Sequence, residues 1–141
     1  MPEVGEFGVP LLEREAFARA QALGGVCAKT IALVAGVQPV LVVVPLARKV
    51  DLARVAELLS VDPSEVGLAS EEELRGIFGF SSMSISVLGC GQPCRVIVDS
   101  LLTVASLVYI GSGTMDNVVG ISPRTLVEQA GASVASISLE G

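Results

Sequence analysis

The chain has 141 residues, enough for one ordinary domain with its own core, and the reading is of a single domain over residues 1–141. Its 15 acidic and 9 basic side chains leave a net charge of −6, which excludes extensive non-specific binding along a phosphate backbone, and four Phe, one Tyr and no Trp exclude a base-stacking platform. The absence of histidine excludes every Ser-His and Cys-His nucleophile scheme.

The opening MPEVGEFGVP begins with acids rather than a basic region, so it does not read as a signal peptide, and a cytoplasmic protein is expected. Glu13–Leu23 sets Phe17, Ala20 and Leu23 on one face, and Gly24-Gly25 stops the helix. Lys29–Gly36 and Pro39–Leu46 read as a β-hairpin covered on both faces. The long uncharged run from Thr30 to Ala47 is broken by Gly36, Gln38, Pro39 and Pro45, so it is two strands and a turn rather than a membrane helix. Asp51 caps a helix whose Leu52, Val55, Ala56 and Leu59 recur at helical spacing. Ser70 and Glu73 form a capping box at the start of another helix, ending near Gly79.

Gly79–Gly89 (GFSSMSISVLG) places four serines between two glycines, with Met83 where a turn is expected, and reads as a pocket wall. Cys94–Asp99 alternates as a strand, with Asp99 suited to cap the turn SLLT. SLVYIGSG is a strand running into a glycine turn, and NVVGIS is another strand. Ser122-Pro123 opens a helix through Gln129, Gly131 ends it, and SVASISL alternates as a final strand. The sum is an α+β fold: a mixed, mostly antiparallel sheet of about six or more strands with several packed helices. A mean hydropathy of +0.70 leaves apolar surface that a second subunit would cover, making a homodimer an expectation.

Few residues carry chemistry. No dinucleotide, P-loop or calcium-loop motif occurs, so no cofactor is expected. Cys90 and Cys94 are spaced C-x₃-C without a second ligand pair, so no metal site is read, and the three cysteines are those of a reducing compartment. Lys29 opens an apolar strand beside Thr30; it is either a solvated strand-end charge or a cation that reaches a phosphate or carboxylate at the sheet's edge. Lys49 reads as surface. Asp99 is either a backbone cap or a group that orients water or a substrate amine. Gly111-Ser112-Gly113 is either a tight turn or a run of N–H groups presented to an anion or a carbonyl oxygen.

Ala28–Leu33, VLVVVP, the helix from Asp51, SEEELRGIFGF, the serine stretch, VIVDSLL, VYIGSG and the final helix-strand unit follow one order. That order resembles the YbaK/ProX family of prolyl-tRNA-associated editing domains over roughly residues 17–139. The resemblance implies that Lys29 lies in the substrate pocket as the principal catalytic-site residue, meeting the terminal adenosine end of a tRNA. It also implies that a loop of the form GY-x-x-GG-x-S-P-x-G binds the ester carbonyl through backbone amides. In this chain the outer glycines Gly79 and Gly89 and Ser86 match, whereas Met83 and Ser84 replace the paired glycines and Val87 the proline. Glycine lets a backbone approach a ligand closely and proline fixes φ, so these exchanges alter the pocket wall physically.

The implied substrate-binding set is Thr30, Met83, Ser84, Ile85, Ser86, Val87, Asp99, Gly111, Ser112 and Gly113. The implied activity is trans-acting hydrolysis of alanyl- or cysteinyl-tRNA for proline, assisted by the substrate's own groups. Its partners would be the aminoacyl-tRNA 3′ end and prolyl-tRNA synthetase. The competing reading is a non-catalytic homologue that binds an aminoacyl-tRNA, a nucleotide or a synthetase. A thiol-dependent hydrolase using Cys90 ranks last, because nothing in the sequence lowers that thiol's pKa.

Overall fold

A computed structural model describes residues 26–78, 94–111 and 118–140. The helix expected over Glu13–Leu23 and the serine stretch Gly79–Gly89 lie outside the described residues.

The two longest strands form where the sequence is richest in β-branched residues: β1 (Val26–Ala35) and β2 (Gln38–Pro45). They pair antiparallel from Ala28 opposite Pro45 to Ala35 opposite Gln38, around a turn in which Gly36 adopts φ +65°. β3 (Arg48–Val50) leads into α1 (Leu52–Leu59). Asp51 caps α1 by accepting from the Arg54 N–H at 3.2 Å, and Ser60 closes it in the left-handed region at φ 58°. β4 (Val66–Leu68) follows. The capping box forms as expected: the Ser70 N–H donates to Glu73 Oε1 at 2.9 Å and the Glu73 N–H to Ser70 Oγ at 3.1 Å. It opens a short α2 (Glu71–Glu73) that continues as a π-helical stretch, Leu74–Phe78.

β5 (Arg95–Asp99) runs into a 3₁₀ turn, Ser100–Val104, and then come β6 (Val108–Gly111), β7 (Val118–Ile121) and α3 (Pro123–Ala130). Ser122 caps α3, Pro123 occupies its first turn, and Gly131 ends it at φ +62°. The last strand expected from the sequence is in fact two, β8 (Ser133–Ala135) and β9 (Ser138–Glu140).

The main sheet runs β7-β6-β1-β2-β5-β8, with β4 also pairing β1, while β3 and β9 make a separate antiparallel pair. Strands β1/β6, β2/β5 and β5/β8 are parallel; the other pairs are antiparallel. This is the mixed α+β sheet that the sequence implies.

Alternation along β1 and β2 divides the core in two. Ala32, Leu41, Val43, Val96 and Val98 face the side covered by Leu102 and by Leu126 of α3. Leu33, Val40, Val42, Val44 and Ile97 face the side covered by Val55 and Ala56 of α1 and by Ile137. β2 therefore buries both faces, which is why Val40–Val44 is an unbroken apolar run. Each fully buried Val, Leu or Ile adds about 1.5–3 kcal/mol over an exposed one.

Candidate functional site

Strand register brings three of the sequence candidates to one level of the sheet. Lys29 lies opposite Val44, and one step beyond the Val43–Val98 pair Val44 lies beside Asp99, itself paired with Ala135. On the other flank β6 runs parallel to β1 with Cys27 beside Tyr109, so Gly111, the last residue of β6, stands level with Lys29. Lys29 and Asp99 point to the face covered by α1, because their row neighbours Val44 and Ala135 pack there. One intervening strand puts their Cα atoms about 10 Å apart.

Lys29 is half-buried, and among the described residues it has no hydrogen-bond or ion-pair partner. Thr30 is also half-buried and turns its side chain to the opposite face. Its backbone is the more informative part. The Leu46 N–H donates to Cys27 O, so the odd-numbered residues of β1 bond to β2, and Ala28 and Thr30 direct their N–H and C=O groups away from it. Val26 and Ala32 obey the same parity, the first donating to Leu107 O and the second accepting from the Ala69 N–H.

Pairing with β6 ends at Cys27–Tyr109, and pairing with β4 begins at Leu33–Leu68. Between those two points no described strand covers β1. The peptide groups of Thr30 are directed to that side, where no described residue bonds them, with Lys29 next along the strand and Gly111 at the margin. A cation, a donor and an acceptor are thus set along a few ångströms of strand, a chemistry suited to an anionic group and a neighbouring carbonyl or amine.

Asp99 behaves differently from the backbone cap expected of it. The chain enters its 3₁₀ turn at Asp99, but the carboxylate makes no capping bond to that turn. It is fully buried and accepts from the Ile137 N–H through Oδ1 and from the Ser138 hydroxyl through Oδ2, both at 2.9 Å. Ser138 Oγ in turn accepts from Arg48 Nε at 2.7 Å, while Arg48 Nη2 donates to Ser138 O at 3.0 Å. The Ile137 carbonyl accepts from the Asp51 N–H at 2.8 Å and the Ser136 carbonyl from Arg54 Nε at 3.3 Å. These contacts grip Ser136–Ser138 and divide the expected final strand into β8 and β9.

Arg48 and Ser138 had no local signal in the sequence, since their bond spans 90 residues. Lys49 is exposed, as read. Cys27 is buried and Cys94 half-buried, and among the described residues no group of three His, Cys, Asp or Glu side chains could hold a metal ion. Met83, Ser84, Ile85, Ser86, Val87, Ser112 and Gly113 lie outside the described residues. No described helix is long and apolar enough to cross a membrane.

The aminoacyl-tRNA editing domain model matches residues 14–128, and the chain belongs to that family. The fold agrees. A candidate trans-editing enzyme for prolyl tRNA synthetase superposes with a TM-score of 0.79 at 25% identity, over 93% of this chain and 85% of that one. The hypothetical protein APE2540 gives 0.77 at 25% identity, over 93% and 89%. A scaffold from computational epitope backbone grafting gives 0.79 at 23% identity, over 93% and 84%. Comparison with curated proteins gives no significant match.

Proposed function

We propose that the protein is a trans-acting aminoacyl-tRNA deacylase that clears a small wrong amino acid, alanine or cysteine, from tRNA for proline. The observation that carries this reading is Lys29: a half-buried cation beside the peptide groups of Thr30, neither with a partner among the described residues, in a chain matched by the editing-domain model. The likeness to a candidate trans-editing enzyme for prolyl tRNA synthetase supports the choice of tRNA. Such a protein works where charged tRNA is made, in the cytoplasm.

In this scheme Lys29 holds the phosphate or ribose at the tRNA tip. Thr30 and residues Gly111, Ser112 and Gly113 border the aminoacyl group, and backbone donors of Met83–Val87 serve the ester oxygen as it gains charge. Water adds to the ester carbonyl and the terminal ribose oxygen leaves with a proton, giving a free amino acid and an uncharged tRNA. The chain has no histidine, so the substrate's own ribose hydroxyl, amine or thiol moves that proton. Only the tRNA tip enters, which reconciles the activity with a charge of −6. Asp99, with both oxygens engaged behind the row, supports the site rather than touching the substrate.

The exchanges at Met83, Ser84 and Val87 favour a second reading, a module that binds aminoacyl-tRNA or a synthetase without hydrolysis. The test follows ester loss from alanyl-, cysteinyl- and prolyl-tRNA bearing the proline anticodon, with and without prolyl-tRNA synthetase. Loss of a mischarged species well above its spontaneous rate, with prolyl-tRNA spared, is the deacylase result. Binding with no accelerated loss is the result of the second reading.

A further inference from the structure

We propose that two copies of the chain associate through the edge of β8 that no described strand covers, flanked by the turn Ser100–Val104 and by α3. Among the described residues β8 ends the main sheet, with β5 on one side and no strand on the other. Ser133, Val134 and Ala135 include neither charge nor proline, two of the devices that keep exposed strand edges from pairing.

Val134 lies opposite Val98 and therefore on the face that carries the 3₁₀ turn and α3. It is 46% exposed, and the turn adds Leu101 at 46% and Val104 at 85%. A groove of about 320 Å³, lined by Thr103, Pro123, Arg124, Val127 and Glu128, extends this surface along α3, which leads through Gly131 and Ala132 into β8.

Charge selects the occupant. Each copy carries −6, so copies repel unless they meet through neutral surface. Among the described residues this face is neutral: Arg124 and Glu128 pair at 3.1 Å, and Leu101, Val104 and β8 add no charge. A cationic partner would find its complement elsewhere, at Asp62, Glu65, Glu72 and Glu73. A two-fold axis at Val134 would pair the two β8 edges antiparallel, with Val134 facing its own copy and the apolar side chains of the turn at the rim.

The experiment is light scattering on the full chain from low micromolar to submillimolar concentration. The expected mass rises to twice 14.5 kDa, and Val134→Lys returns it to 14.5 kDa with an unchanged thermal melt. In parallel, Val134→Cys should give a disulfide-linked dimer under mild oxidation that wild type and Leu58→Cys do not give. That variant keeps the test independent of whether the lysine variant folds. A wild type of 14.5 kDa throughout, or a dimer that Val134→Lys leaves intact and Val134→Cys fails to cross-link, overturns the proposal.

Discussion

Ser138 donates its hydroxyl proton to the buried carboxylate of Asp99 at 2.9 Å while the same oxygen accepts from the Arg48 guanidinium at 2.7 Å. Both oxygens of a carboxyl group with no solvent exposure are thereby hydrogen-bonded, one by a hydroxyl that the cation polarises and the other by the Ile137 N–H. Three segments far apart in sequence, the end of β5, β3 and the start of β9, are tied at the level of the sheet where Lys29 stands.

Removing that carboxylate leaves two donors facing apolar surroundings. Each buried donor without a partner costs about 1–3 kcal/mol. Asp99→Ala is expected to lower the unfolding free energy by about 2–5 kcal/mol in urea titration, with Arg48→Ala costing about 1 kcal/mol. A double-mutant cycle between Arg48 and Ser138 should show coupling of about 0.5–3 kcal/mol. Additive effects there would mean that the guanidinium does not act through the hydroxyl.

Tyr109 pairs with Gly120 across β6 and β7, and its ring lies where a side chain at that position would go. A Cβ on Gly120 would stand 2.7 Å from Tyr109 Cε1 and 3.3 Å from Leu107 Cδ2. Tyr109 is buried, so the ring cannot swing into solvent. Gly120→Ala is expected to destabilise by about 1–3 kcal/mol through overpacking. Chemical denaturation checks this, and a neutral result would show that the ring relaxes freely.

Asp62 accepts from the Ser64 N–H at 2.9 Å and from the Ser64 hydroxyl at 2.8 Å. Chiefly the backbone bond, and then the hydroxyl, hold its carboxyl below the ordinary value of 3.8. A depressed folded-state pKa adds stability that is fully present above 3.8 and is lost as pH falls through the folded-state value. Asp62→Asn should therefore melt below wild type at neutral pH, and the gap should close under strong acid. A gap independent of pH would assign the effect to something other than ionisation.

Much of the fold was legible because its signals are local. The Ser70/Glu73 box, the Asp51 and Ser122 caps, the Gly36 and Gly131 turns and the apolar run of β2 each depend on neighbours a few residues away. β3 and β4 gave no such signal: three residues each, they exist because β9 and β1 offer them an edge. The division of SVASISL was illegible for the same reason, since the contacts that turn the chain at Ser136–Ile137 come from Asp99, Asp51 and Arg54. Of the candidate site, Lys29, Thr30, Asp99 and Gly111 were picked by residue type and order. The sequence did not show that Lys29 and Thr30 face opposite sides, or that Asp99 looks inward; strand parity and long-range bonding decide both.

In the proposed function Lys29 holds the tRNA tip during editing. The most direct test is kcat/KM for the best mischarged tRNA, measured for wild type and Lys29→Ala, with circular dichroism confirming the same fold. Loss of one charge-assisted hydrogen bond predicts a fall of roughly tenfold to a hundredfold, with Lys29→Arg recovering only part of it. A Lys29→Ala variant that deacylates as fast as wild type would show that Lys29 does not hold the tRNA tip.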